Sequence, residues 1–231
     1  MSYSHQKGLT RLHILFITLV TVVVLFVVLP LVLPRRTDRA PLTEALNNAK
    51  AIAGGLITFK VDKGYYPSDA TRQTLEAEGI TNLPPGKDAN AYLAQLIVTE
   101  IIDSETYFFA SGVKGAIKGD DIIGTPEKLL SYGENGFAYV MTPNGKPLTD
   151  VTSDTPLVLA PTLTGGSNPT FDPNPYAEQL VYGAADGSGK IATINKHRQA
   201  LTKDGTPLFA TGPGTFFKTE TPIVILPTKT K

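Results

Sequence analysis

An apolar run over residues 12–33, Leu-His-Ile-Leu-Phe-Ile-Thr-Leu-Val-Thr-Val-Val-Val-Leu-Phe-Val-Val-Leu-Pro-Leu-Val-Leu, constrains this chain more than any other feature. As a helix at ~1.5 Å per residue, it just crosses a hydrocarbon core of ~30 Å. A cleaved secretory signal would have an apolar region of roughly 7–15 residues followed by small residues. Here Pro34-Arg35-Arg36 follows instead. The run is therefore expected to remain as a single membrane span, with one soluble domain beyond about residue 40. Lys7 and Arg11 on one side oppose Arg35, Arg36 and Arg39 on the other, so the positive-inside bias does not set the orientation. Pro30 and Pro34 remove backbone donors near the end of the span and bend or stop it. Thr18 and Thr21 are expected to bond back to helix carbonyls.

The chain has 231 residues, and removing the anchor leaves enough for one domain with a sizeable core. Of 21 basic and 21 acidic residues, five basic ones (Lys7, Arg11, Arg35, Arg36, Arg39) and Asp38 flank the run, leaving 16 basic and 20 acidic beyond it. A mildly acidic domain offers no clustered basic face, so nucleic acid is set aside as a partner. The absence of cysteine excludes disulfides, thiolate metal sites and cysteine nucleophiles. Eighteen prolines and 21 glycines predict a loop-rich domain.

Past Pro41, the residues Leu42, Ala45, Leu46, Ala49, Ile52, Ala53, Leu56 and Phe59 recur at spacings of three and four, the period of an amphipathic helix. Glu44, Asn47, Asn48, Lys50 and Lys60 are expected on its other face. Gly64 and Pro67 predict a stop near Lys63. Farther on, residues 71–78 and 89–102 have helical spacing and are expected as short surface or packing helices, the second with Tyr92, Leu93, Leu96, Ile97 and Ile101 on one side. Residues 136–141, 155–160, 179–183 and 190–194 are short, rich in β-formers and bounded by Gly, Pro, Asn and Asp, which predicts an antiparallel sheet. Asp186-Gly-Ser-Gly189 is a hairpin signal, and residues 219–226 predict one more strand, at an edge because of Pro222 and Pro227. One long helix followed by antiparallel strands is an α+β layout.

The stretch Ala-Leu-Asn-Asn-Ala-Lys-Ala-Ile-Ala-Gly-Gly-Leu-Ile-Thr-Phe-Lys-Val-Asp-Lys-Gly-Tyr-Tyr-Pro at residues 45–67 resembles the helix and following turn of type IV pilins and type II secretion pseudopilins, especially the G-type group. Lys7-Gly8-Leu9 resembles a prepilin-peptidase site, with Gly8 ending a leader and Leu9 opening the mature chain. Pro30 then falls at the twenty-second mature position, where many pilins carry a kink proline. Two departures stand out. Leu9 replaces the usual phenylalanine or methionine, and His13 stands where the family has a glutamate that pairs with a neighbouring subunit's N-terminal amine.

The resemblance implies a pilin-like α+β fold with the transmembrane half of a long helix inside the bilayer and its outer half packed on a small antiparallel sheet. It divides the chain into a leader or cytoplasmic tail at 1–8, a transmembrane helix at 9–34, an amphipathic continuation at 35–64, a variable region at 65–135 and a sheet region at 136–231 of the same head. The implied role is a non-enzymatic structural subunit of the bacterial inner membrane, with its C-terminal domain periplasmic or in an extracellular filament. It would assemble with itself, other pilin-like subunits and a secretion or pilus machinery through helix packing. His13, Pro30, Leu42, Leu46, Ile52, Leu56 and Phe59 mark the assembly helix. The alternative is an anchored periplasmic binding or scaffold protein that does not polymerise, consistent with His13 in place of the acid.

No catalytic or cofactor motif competes with that reading. Residues 183–190 lack the glycine and the Ser or Thr of a phosphate loop, Ala184 and Ile191 standing there instead. Gly187 and Gly189 form only part of a dinucleotide fingerprint and precede a strand rather than a helix. His197 is the sole histidine beyond residue 13 and sits between Lys196 and Arg198, as expected of a solvated turn. No Gly-x-Ser-x-Gly elbow occurs. Asp120, Asp121, Asp172 and Asp186 offer oxygen ligands for calcium, which some G-type pseudopilins hold in their sheet loops, but their spacing matches no calcium loop and solvated turns are the expectation.

Overall fold

The computed structural model describes residues 6–23 and 39–228. Contacts divide the chain into two units, residues 1–38 and 39–231. In the first, helix α1 (Gln6–Val23) carries the opening half of the apolar run. Residues 24–33, with Pro30, lie outside the described residues. Among the described residues no helix is long and apolar enough to cross a membrane. Thr18 and Thr21 donate to the carbonyls of Ile14 and Ile17, each at 2.8 Å, so neither hydroxyl leaves the helix.

The second unit begins with α2 (Arg39–Lys63). Its buried residues Ala45, Ala49, Ile52, Ala53, Gly55, Leu56 and Phe59 follow the three-four spacing of a single stripe. Lys60 and Lys63 sit in the last turn, where cations favour the carbonyl end of the dipole. Gly64, at φ +83°, donates its N–H to the carbonyl of Lys60 and ends the helix.

Two shorter helices follow. In α3 (Asp69–Ala77), Ser68 and Thr71 cap each other reciprocally. In α4 (Ala89–Val98), Asp88 accepts from the N–H of Ala91. The sequence predicts a surface or packing helix with one apolar side for this second segment, yet every residue of α4 from Ala89 to Ile97 is buried. A segment without a single charge has no side that requires water. Its two amides are satisfied internally. Asn90 Nδ2 donates to the Leu130 carbonyl at 2.6 Å, and Gln95 accepts from Thr71 Oγ1 at 2.7 Å while donating to the Ser68 carbonyl.

The sheet contains β1 (Ala138–Met141), β2 (Pro156–Ala160), β5 (Gln179–Ala184), β6 (Gly189–Ile194), β7 (Ala200–Leu201) and β8 (Ile223–Ile225), in the spatial order β7-β6-β5-β2-β1-β8. A separate ribbon pairs β3 (Thr162–Thr164) with β4 (Thr170–Phe171). All the pairings are antiparallel, with Tyr139 opposite both Val158 and Ile225, and Val158 opposite Gly183. Strands β1 and β2 are buried at every residue, so both of their faces are covered. The C-terminal strand β8 is an edge, consistent with its flanking prolines. Residues 203–217 form no strand of their own, but Phe209 stacks between Phe171 and Phe217, with ring centroids 6.1 and 5.7 Å away.

Helix α2 lies against β5, β6 and β2. Gly183 and Gly189 allow the approach. A Cβ on Gly183 would come within 2.3 Å of the Ala49 carbonyl oxygen, and one on Gly189 within 2.8 Å of that of Leu46. Gly189 thus belongs to the helix contact as well as to the hairpin, whose turn uses Gly187 at φ +79°. Replacing Gly183 by Ala is expected to lower unfolding stability by about 1–3 kcal/mol through overpacking against helix backbone. Gly54→Ala, on the same helix with nothing within 4 Å of the added carbon, is expected to hold stability or raise it. Urea unfolding of the two full-length variants compares them directly.

Candidate functional site

Three groups of residues are candidates: the apolar N-terminal helix, the face of α2, and the acidic side chains of the head. Gly8 and Leu9 lie inside α1. His13 is exposed on the same helix, as are Ile14, Leu15, Phe16, Ile17, Leu19, Val20 and Val22. An exposed apolar surface of this kind marks a contact surface, for protein or for membrane.

On α2, Ile52, Leu56 and Phe59 are fully buried, and Leu42 and Leu46 pack partly buried against the same core. The apolar stripe of α2 is thus occupied by its own head. Asn48 is not a solvent-facing residue as its place in the pattern suggests. It is half-buried and its Nδ2 donates to the Phe109 carbonyl at 2.8 Å, pinning the following segment to the helix. Lys60 lies with its ammonium 4.7 Å from the centre of the Tyr66 ring.

The sheet-loop acids are bonded within their own loops. Asp186 Oδ1 accepts from the N–H and the hydroxyl of Ser188 at 2.9 and 2.6 Å, and Oδ2 accepts from Lys190 Nζ. Lys190 also pairs with Asp154. Asp172 Oδ1 accepts from both nitrogens of Asn174. Both are turn residues closed on their own loops. His197 is exposed, and its backbone N–H donates to Asn195 Oδ1, which places it in the solvated turn expected of it. Phe171 and Tyr176 bracket their loop as anchors. Phe171 is buried in the aromatic stack, and the Tyr176 hydroxyl donates to the Ser111 carbonyl at 2.7 Å.

Asp120 and Asp121 part company. Asp121 Oδ1 accepts from the Ser104 hydroxyl and the Glu105 N–H at 2.9 and 2.7 Å, fixing the start of the 3₁₀ turn Glu105–Phe108. Asp120 instead joins Glu105 and Glu134, one carboxylate oxygen of each lying within 4.8 Å of the other two. Glu105 and Glu134 are buried and Asp120 is exposed. Their donors are backbone groups: Leu130 N–H to Glu105 Oε1, Ser131 N–H to Glu134 Oε2, Asp120 N–H to Glu134 Oε1 and Ile122 N–H to Asp120 Oδ1.

Burial raises the Glu105 carboxyl above the usual range, opposed by the Leu130 N–H and reinforced by the charges of Glu134 and Asp120. Sequence reasoning missed Glu105 and Glu134. They lie far apart along the chain, and Glu105 stands among the polar residues Asp103, Ser104 and Thr106, so no local pattern set either apart.

Asp69 shows the opposite balance. Burial pushes its carboxyl up, but hydrogen bonds from Lys87 and Tyr92 outweigh that and hold it low. Asp186 is drawn down to about 2, chiefly by the Ser188 hydroxyl, then by its N–H and Lys190. Its folded pKa is depressed, so its contribution to stability is complete above the unfolded value near 3.8 and is lost as pH falls toward 2. Carboxyl NMR titration of Asp186 is expected to give a midpoint near 2, moving back toward 3.8 in Ser188→Ala. A wild-type midpoint of 3.8 would dismiss the turn geometry.

A long helix bedded on a small antiparallel sheet, with its glycines cleared for that contact, defines an α+β head of the pilin-like class. The chain is 35% identical over 143 residues to type II secretion system core protein G of Pseudomonas aeruginosa, an alignment covering 59% of this chain and 89% of that relative. It belongs to that pseudopilin family. No family model matches the chain, and no solved structure matches it.

Proposed function

We propose that this protein is a structural, non-enzymatic subunit anchored in the inner membrane by residues 12–33, with its head in the periplasm or on a filament. It joins other pilin-like subunits, and the secretion machinery, through packing of the N-terminal apolar helices. The observation that carries this reading is the division of labour between the helices. The stripe of α2 is used up inside the head, whereas α1 exposes Ile14, Leu15, Phe16, Ile17 and Leu19. The apolar sequence continues through residue 33, long enough for a bilayer. Kinship with a core protein of the type II system supports assembly with other pilin-like subunits.

Removal of the prepilin leader after Gly8 belongs to the same proposal. The purified mature chain is expected to have a mass lacking residues 1–8, and a mass retaining them would remove the processing step. In cells with an intact type II assembly system, lysine-reactive crosslinking is expected to capture the full chain in multimers, and the chain lacking residues 12–33 as a monomer. A second reading, an anchored scaffold that never polymerises, is favoured by His13, which cannot supply the anion the family pattern places there. Full chain found uncrosslinked in such cells would select it.

A further inference from the structure

We propose that the open half of strand β6 takes an extended segment of a partner protein as an added strand, held by backbone hydrogen bonds at Gly189 and Ile191 and by a carboxylate on Lys203. This goes beyond the assembly reading, since a chain that never polymerised would bind such a segment equally.

Bonding along β6 alternates. The Ala184 N–H donates to the Ser188 carbonyl and the Ile194 N–H to that of Glu178, which in this register makes the even-numbered residues the ones bonded to β5. The N–H and C=O groups of Gly189, Ile191 and Thr193 therefore point to the other edge. There Thr193 is matched by Leu201 of β7. Two residues farther in that register Lys203 would stand opposite Ile191, but the chain turns away at Thr202, whose N–H donates to the Thr206 carbonyl. Among the described residues no backbone group bonds to Gly189 or Ile191 on this side. The far edge of the sheet is closed by contrast, since Val224 of β8 exchanges both of its backbone bonds with Gly166. A row of unpaired donors and acceptors is a template for another strand.

There is space beside that row. A groove of about 700 Å³ follows residues 189–192, with Leu46 and Ile191 on the α2 side of the sheet and Tyr182, Ala192 and Phe216 on the other. A strand laid along it sends alternate side chains to the two sides, and each side offers apolar contact. Ile191 is 39% exposed, so the α2 side lacks its cover.

Charge defines the occupant further. Lys190 is engaged by Asp154 and Asp186, and Asp204 accepts from the Thr202 hydroxyl and the Thr206 N–H. Lys203 stands exposed at the rim and, among the described residues, joins none of the ion pairs. An extended segment with apolar residues and one carboxylate complements this edge. A second copy of β6 does not. Antiparallel pairing of Gly189 with Ile191 between two copies sets Lys190 directly opposite Lys190, and like charges so placed are destabilising.

The test uses the full-length chain in detergent. By NMR, the Ile191 amide is expected to exchange with solvent much faster than those of Lys190 and Ala192, which lie in the ladder. The probe is a fluorescein-labelled peptide, Thr-Val-Leu-Val-Glu-Val-Thr, followed by anisotropy; it is expected to bind at sub-millimolar concentration and to slow exchange at Ile191. Ile191→Pro removes an N–H that β5 does not use and is expected to weaken binding at least about tenfold. Lys203→Glu is expected to weaken it as well, and to favour the same peptide with lysine in place of glutamate. Melting of both variants close to wild type separates lost binding from misfolding; if Ile191→Pro melts far below wild type, Lys203→Glu decides. A protected Ile191 amide in the free chain, no binding of the acidic peptide at millimolar concentration, or undiminished binding by Lys203→Glu or by folded Ile191→Pro would each overturn the site. Self-association of wild type that Ile191→Pro abolishes would give the edge to a second copy and overturn the assignment to a partner.

Discussion

The distance at which α2 can lie on the β5–β6 hairpin governs the rest of the head. Ala49 and Ala53 on the helix meet Gly183, and the carbonyl of Leu46 meets Gly189, so helix backbone approaches strand backbone with almost nothing between. Close approach of this kind excludes water and lets the larger residues Ile52, Leu56 and Phe59 fill the space on either side of the seam. It also fixes register. A one-residue slip of either strand would put a side chain where only hydrogen fits.

Around that seam the head is held by side-chain amides as much as by apolar packing. Asn48 ties α2 to the segment ending at Phe109, Asn90 ties α4 to Leu130 and Asn135, and Gln95 ties it to the cap of α3. Each amide replaces the backbone pairing that a loop would otherwise lack, and each is itself shielded. The acidic cluster belongs to the same scheme of joining loop to loop. It differs in bringing together groups of one sign, which hydrogen bonds from the backbone only partly offset.

What could be read in advance follows from range. The α+β mixture was legible because the three-four spacing of α2 and the Gly-bounded runs at 138–141, 156–160, 179–184 and 189–194 are local patterns that their own neighbours enforce. The stop at Gly64 and Pro67 was legible for the same reason. The burial of α4 was less so: Ala89, Asn90, Ala91, Ala94 and Gln95 look like a weak polar face, and only their lack of charge hinted at the interior. Asn48 reads as solvent-facing until the loop it holds is known. Glu105, Asp120 and Glu134 meet through loops whose course depends on the completed core, so no spacing announced them. Residues 203–217 escaped because their order comes from stacking of Phe209 and Phe217 with distant Phe171 rather than from a ladder.

The C-terminal edge strand also sets a timetable. Strand β8 pairs with β1, the carbonyl of Leu226 receives the N–H of Ala89, and Asn90 receives that of Thr228, 138 residues away in sequence. The first turn of the central helix and the edge of the sheet are thus closed by residues that leave the ribosome long after the helix itself. During synthesis α4 and β1 exist with that flank open, and contacts of such long range form late and slowly. Removing residues 223–228 would take away a wall of the core rather than a loose segment, so the head is finished only when that strand has docked.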